Sequence, residues 1–364
     1  QGYSSAASDV YKRQNYHSFS NSFFTKIFCR RKTILFKNTK HKLNRGCDNI
    51  KTTIGIPRAL LYYYDKDLWI EFFKKLGLSI IISKETNKKT ITEGTTIAPN
   101  EACLALKIYL GHIKELENKC DYILIPRIFS LEKHNQVCTN FNALYDLVNN
   151  LFDREILNYN IDISANHYQM LGFLKLGEQL GFSYIKAYTA YKYAEKIKNM
   201  KRKKQEEEQK KLLTSNNIKI LLAGHPYNLY DSMIGKTVID FLTQNNITIL
   251  YSNKIEKEII EEEYQKIAPD IHWTHNKEII ASTKYYEDYV DGIILISSFP
   301  CGPDSLMNEQ ITHKIKKIPI ITLIFEDLNN EAGMITRLES FIDILKNLKE
   351  EKNESRICIK NRKC

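Results

Sequence analysis

Asp291-Gly292-Ile293-Ile294-Leu295-Ile296 runs directly into Ser297-Ser298-Phe299-Pro300-Cys301-Gly302-Pro303-Asp304-Ser305, and this junction decides how the chain is read. The run after Gly292 is apolar at every position, without the alternation of a half-buried strand. It therefore predicts a strand buried on both faces of a parallel sheet. Proline on either side of Cys301-Gly302 then enforces a stiff turn. At the carboxyl end of a strand in an open α/β sheet, such a turn faces the crevice where ligands bind. A thiol held there is placed to ligate something.

Working outward, the same pattern recurs. Asp121 to Pro126 (DYILIP) duplicates Asp291 to Ile296 (DGIILI) at a shift of 170 residues. Thr53 to Pro57 (TIGIP), the amphipathic Leu60 to Leu76 and the apolar Leu78 to Ser83 are matched by Lys219 to Pro226 (KILLAGHP), Tyr227 to Leu242 and Ile247 to Ser252. Pro57 to Pro226 and Leu78 to Ile247 are each a shift of 169. Landmarks in one register predict a duplicated βαβ unit, hence an α/β fold of two similar domains with mainly parallel sheets. Between them, Gln179 to Leu213 reads as one long helix whose charge run, Lys196 to Lys211, is expected to be solvated. The expected organisation is residues 52–178 as the first α/β domain, 179–217 as the linking helix, 218–345 as the second domain and 346–364 as a basic tail, with the site in the interdomain cleft.

Residues 1–51 are set aside as an artefactual or disordered lead. Gln1 to Gln14 (QGYSSAASDVYKRQ) reads as translated sequencing adapter, no methionine precedes Met170, and Asn15 to Lys51 is expected to be upstream or fragmentary sequence. The net charge of +10 sits at the ends: residues 1–51 hold 11 Lys/Arg against 2 Asp/Glu, residues 346–364 hold 7 against 3, and the remaining body carries −3. A slightly acidic body argues against a groove that tracks nucleic-acid phosphates. Phe23, Phe24, Ile27 and Phe28 are too few, and too closely followed by Arg30, Arg31 and Lys32, to span a membrane, and no other window is apolar enough. A cytoplasmic protein with no nucleic-acid or membrane partner is expected. Eight cysteines there point to metal or redox chemistry sooner than to disulfides.

The strands sort the thiols. Cys301 follows the Gly292–Ile296 run, Cys138 follows the duplicated Tyr122 to Ile125, and Cys103 opens a helix running through Lys107 to Gly111-His112. All can face one cleft, and the helix start also favours a thiolate at Cys103. None has the paired spacing of a structural zinc ribbon. They suit an iron–sulfur cluster assembled from distant segments, with one iron of a [4Fe–4S] cluster left open for substrate, water or a non-thiolate ligand. On spacing alone, three unrelated packed cysteines are an equal alternative.

From Thr53 to about Leu345 the chain resembles the 2-hydroxyacyl-CoA dehydratase and benzoyl-CoA reductase superfamily, in particular its standalone proteins related to acyl-CoA dehydratase activases. IGIPRALLYYY (54–64), EACLALK (101–107) with GH (111–112), DYILIPRI (121–128), GHPYNLYD (224–231), FPCGPDS (299–305) and EAGMITRLESFID (331–343) carry the resemblance. It implies two Rossmann-like domains with a [4Fe–4S] cluster between them, ligated here by Cys103, Cys138 and Cys301. It also implies a separate ATP-hydrolysing activase as electron donor and an acyl-CoA as ligand. The chain departs from the pattern in three places. Cys103-Leu104-Ala105 and Cys138-Thr139 stand where relatives carry Cys-Leu-Pro and Cys-Pro, and Glu326-Asp327-Leu328 where they tend to show Asp-Glu-His.

Weaker candidates surround these ligands. His225 and Asp231, in the strand-to-helix turn GHPYNLYD, are candidate hydrogen-bond supports of the site, or simply hold that turn. Arg58, Arg127 and Arg337 are candidates to hold an anionic group such as a CoA phosphate, against the reading of ordinary surface arginines. His112 reads as packing or helix-end chemistry, Cys120 as structural, and Cys29, Cys47, Cys358 and Cys364 lie in the doubtful ends. Two function classes follow. One is an iron–sulfur redox protein, either a dehydratase-like component or an electron carrier. The other is a non-catalytic two-lobed binding or assembly protein whose thiols hold zinc or nothing. No GxxxxGK[ST] loop occurs in the sequence, consistent with an ATPase on another polypeptide.

Overall fold

The structure, a computed structural model, describes residues 52–326 and 331–361. The expected lead over 1–51, with Cys29 and Cys47, and also Leu328 and Cys364, lie outside the described residues, as does the side chain of Cys358. The first half begins with β1 (Thr53–Ile56), α1 (Tyr62–Leu76), β2 (Ser79–Ile82), α2 (Lys88–Ile97), α3 (Leu104–Leu116) and β3 (Tyr122–Leu124). It continues with β4 (Arg127–Ser130), α4 (Thr139–Leu151), β5 (Ile156–Leu157), β6 (Asn160–Asp162) and α5 (Gln169–Gln179), after which α6 (Tyr184–Leu212) leads out. The second half is β7 (Lys219–Gly224), α7 (Pro226–Leu229), α8 (Gly235–Gln244), β8 (Thr248–Tyr251), α9 (Lys257–Gln265), α10 (Thr274–Tyr286), β9 (Gly292–Ser298), α11 (Gly302–Lys314), β10 (Ile320–Phe325) and α12 (Glu331–Asn361). No helix of the described residues is long and apolar enough to cross a membrane.

The duplicated runs occupy equivalent places. One sheet has the order β2-β1-β3-β5 and the other β8-β7-β9-β10, parallel throughout, so β3 and β9 each flank the first strand on the side away from the second. The aspartate that starts each of those strands pins its neighbour: Asp121 accepts from the Thr53 amide at 2.7 Å and Asp291 from the Lys219 amide at 2.8 Å. The pairing register is duplicated as well, but not at the shift the prolines suggest. Thr53 pairs with Ser79 and Ile54 with Tyr122, as Lys219 pairs with Thr248 and Ile220 with Gly292. Thr53 therefore corresponds to Lys219, a shift of 166 against the 169 between Pro57 and Pro226. The three extra residues lengthen the carboxyl end of the second copy, where β7 continues to Gly224.

The helices follow their apolar spacing. On α1, Leu68, Trp69, Phe72, Phe73 and Leu76 are buried, and Trp69 donates its indole N–H to the Tyr159 hydroxyl at 2.7 Å. Each such side chain contributes about 1.5–3 kcal/mol by leaving water. Gly77 ends α1 at a φ of 87°, a left-handed conformation that returns its N–H to the Lys74 and Phe73 carbonyls. One core joins both halves, with Ile56 and Phe72 of the first in the same apolar cluster as Leu222, Ile296 and Phe341 of the second.

Three expectations change. The long helix does not start at Gln179: α5 ends there, Gly181 turns at a φ of 77°, and Ser183 caps α6 by accepting from the Lys186 amide. Nor is the charge run only solvated. Lys198 meets Asp65 of α1 at 2.5 Å, Arg202 donates to the Ile255 carbonyl at 3.1 Å, and the buried Gln209 amide takes both backbone groups of Tyr251 at 2.9 and 2.7 Å. The stretch read as a basic tail is the continuation of α12, which runs unbroken to Asn361.

Candidate functional site

Cys103, Cys138 and Cys301 each occupy the cap position before the first residue of a helix, α3, α4 and α11 respectively. The helices start with Leu104-Ala105 after Cys103 and with Thr139 after Cys138. All of these thiols are free and line one cavity of about 210 Å³ between the halves. That is far more than the ~10–15 Å³ a single water requires. Leu60, Phe141 and Tyr227 give the cavity apolar walls. Cys120 is elsewhere, its sulfur bonded to the Leu116 carbonyl at 3.5 Å and packed where a Cβ on Gly55 would lie 2.4 Å away.

Backbone bonds across the cleft hold the rim. The Leu104 amide donates to the Phe299 carbonyl at 2.9 Å, tying the Cys103 segment to the Cys301 turn. The Gln136 amide donates to His272 at 2.9 Å and the Thr274 amide to Gln136 at 3.0 Å, tying the Cys138 loop to the start of α10. Asn140, on the first turn of α4, points its amide at the Cys103 sulfur 3.8 Å away. Ser298 donates to Asn228 at 2.7 Å, fixing the end of β9 just before the turn.

Burial decides the electrostatics. It pushes the Cys103 thiol up to about 11 against the opposing helix amides of Leu106 and Ala105, so the helix start does not win a thiolate there as expected. Burial also raises Cys138, and burial with the nearby Asp304 carboxylate raises Cys301 further. Burial therefore favours the neutral thiols, each of which must lose its proton to bind a metal. No group of three or more His, Cys, Asp or Glu among the described residues is gathered tightly enough to hold a single metal ion. A cluster makes a smaller demand, since each thiolate binds its own iron.

Beneath Cys301 lies a polar chain that the sequence did not reveal. His225 is buried, with Tyr64 Oη 2.9 Å from Nδ1 and Asp304 Oδ1 2.8 Å from Nε2. Asp304 can only accept, so Nε2 carries the hydrogen and Nδ1 takes the tyrosine hydroxyl. Asn276 donates to the same Asp304 oxygen at 3.1 Å. His275 also lines the cavity, stacked on Tyr64 with ring centroids 4.1 Å apart, and burial pushes it down to about 3. Asp304 stood three residues after Cys301, one helical turn into α11, which is the signal that could have found it. The pair His272 and His275 around Trp273 was the signal for the other.

The remaining candidates lie apart from the cavity. Asp231 accepts from Thr86 and from the Met233 amide, and Thr86 in turn meets His112 Nε2 at 3.0 Å, a buried tie between the halves. Arg58 faces Glu85 at 3.4 Å, Arg127 faces Asp146 at 2.5 Å, and Arg337 donates to the Thr322 carbonyl at 2.8 Å. Burial holds His112 down at about 4 and Asp231 up at about 6. The depressed histidine contributes stability that is full above about pH 6.5 and is lost towards about pH 4, by up to ~3 kcal/mol. The raised aspartate works the other way, its native-state proton adding stability as pH falls from about 6 to about 4. Denaturant melts at about pH 7 and about pH 4.5 should thus show less acid destabilisation in His112→Gln than in wild type. An equal response in both proteins would contradict this.

Among solved structures the chain is similar to the SBP FpvC from Pseudomonas aeruginosa in complex with Ni2+, at 10% identity over 83% of this chain and 98% of that one, with a TM-score of 0.26. It is similar also to FpvC in complex with Mn2+, at 8% identity over 83% and 99%, again with a TM-score of 0.26. Likeness at that level carries no argument. No curated protein matches. The family described as CoA enzyme activase uncharacterised domain (DUF2229) matches residues 53–255, more than half of the chain, a span that holds Cys103, Cys138 and His225 while Cys301 lies beyond it. The chain belongs to this CoA enzyme activase uncharacterised domain family.

Proposed function

We propose that this chain is an iron–sulfur redox protein of the standalone, activase-related branch of the 2-hydroxyacyl-CoA dehydratase superfamily. It holds a [4Fe–4S] cluster on Cys103, Cys138 and Cys301, in the cytoplasm, and takes electrons from a separate ATP-hydrolysing activase. The observation that carries the reading is the meeting of thiols from three helix starts, in both halves of the chain, around one apolar-walled cavity. The family description, which names a CoA enzyme activase, supports the kind of partner. When bound, such a cluster supplies one-electron transfer at a potential set by burial and by hydrogen bonds to its sulfurs.

The chain's own residues have separable tasks. The helix starts aim amides at the ligating sulfurs and Asn140 adds a side-chain donor at Cys103. Leu60, Phe141 and Tyr227 restrict water. The Tyr64-His225-Asp304 chain fixes the first turn of α11, and with it Cys301. An acyl-CoA remains the ligand that the resemblance implies.

The test is anaerobic loading of the full chain with iron and sulfide, followed by metal and sulfide analysis and electron paramagnetic resonance of the reduced protein. Equimolar iron and sulfide, with an oxygen-sensitive reduced-state signal, is the expected result. Stoichiometric zinc without sulfide would replace this reading with a non-catalytic two-lobed binding protein.

A further inference from the structure

The cysteines provide thiolates for three irons of a four-iron cluster, so the fourth needs another donor or stays open. We propose that His275 supplies that donor; the inference rests on the cluster reading above. Its ring lines the same cavity as Cys103, Cys138 and Cys301. Its Nε2 is fully buried without a hydrogen-bond partner. A buried polar atom left unpaired is costly and calls for a reason.

The other imidazole and the carboxamide facing the cavity from the second half are already engaged. His225 uses both ring nitrogens, on Tyr64 and Asp304, and Asn276 gives its amide to Asp304. His275 is the imidazole left over among the cavity's described residues.

Its position is built by the fold and does not depend on the ring alone. The Gln136 bonds to His272 and Thr274 lock the start of α10 onto the loop that carries Cys138, two residues beyond Gln136. The ring is then clamped by the stack on Tyr64 and by the edge of Phe141, 5.9 Å away. The same α10 turn contributes Asn276 to Asp304, which follows Cys301 by one helical turn. His275 is thus tied through short links to two of the three cysteines, one in each half. Imidazole is a known substitute for thiolate on cluster iron, and it raises the potential. An iron capped in this way is closed to exogenous ligands, which commits the site to electron transfer more than to binding a substrate oxygen.

The experiment uses the full chain loaded anaerobically with iron and sulfide, with histidine labelled by either nitrogen isotope. Pulsed electron paramagnetic resonance of the reduced protein should show a directly coordinated histidine nitrogen whose coupling changes with the isotope. In His275→Phe, which keeps a ring for the Tyr64 stack, the coupling should vanish while most of the iron and sulfide remains. A wild-type protein with full iron and sulfide and no such coupling overturns the inference and leaves the cluster reading intact. So does a coupling that survives in His275→Phe. Wild type that takes up no sulfide overturns both.

Discussion

Cys301→Ser should lose most of the iron and sulfide that the wild-type chain takes up, whereas Cys120→Ser should keep nearly all of it. Both replacements are close to isosteric, so the comparison controls for general unfolding. Cys301 caps α11 at the wall of the cavity, and its backbone carbonyl accepts from the Ser305 amide at 3.0 Å, a contact that serine leaves in place. Only the soft thiolate is lost. Changing groups that merely support a metal ligand typically costs ~10–100-fold in affinity, and removal of a ligand should cost at least that. Cys120 lies against Gly55 and the Leu116 carbonyl, away from the cavity. Equal iron in the two variants, with unchanged circular dichroism, would remove Cys301 as a ligand.

Gly111→Ala should damage the fold severely for so small a change. A Cβ there would sit 2.0 Å from the Thr90 carbonyl oxygen, and one on Gly94 would sit 1.8 Å from that of Lys107. The two glycines let α2 and α3 touch backbone to backbone, and a carbonyl has no alternative rotamer to move into. Relief requires the helices to part, at the upper end of the ~1–3 kcal/mol that overpacking costs. The thermal midpoint should fall by about 5–10 °C. Because α3 begins at Cys103, iron uptake should fall with it. Gly77→Ala is the control: nothing lies within 4 Å of its Cβ, and only the φ of 87° opposes it, which should cost about 1 kcal/mol. If the two variants melted alike, the close helix contact would not be limiting.

The duplicated parallel strands were legible because Thr53 to Pro57, Asp121 to Pro126 and their counterparts are continuous apolar runs, the signature of strands covered on both faces. That same uniformity hid the exact alignment, since apolar runs of unequal length offer no polar position to show that Thr53 answers to Lys219. The break at Gly181 was masked by good helix formers on either side. In the site, the cysteines announced themselves by following strands. His275, Tyr64 and Asn276 did not, because the Gln136 bonds to His272 and Thr274 join segments far apart in the chain. His225 and Asp231, read as one group from a single turn, serve different places: one reaches under Cys301 and the other joins Thr86 to His112.

Gln209 has a consequence for how the protein behaves among its copies. The strand β8 lies at the margin of its sheet, where exposed amides and carbonyls invite another chain to add itself. The Gln209 carboxamide presents an acceptor to the Tyr251 amide and a donor to its carbonyl, as the backbone of a neighbouring strand would. One side chain on α6 thus impersonates a peptide unit and stops the sheet at that residue. The charged helix that separates the halves in sequence also serves as a guard against edge-to-edge aggregation.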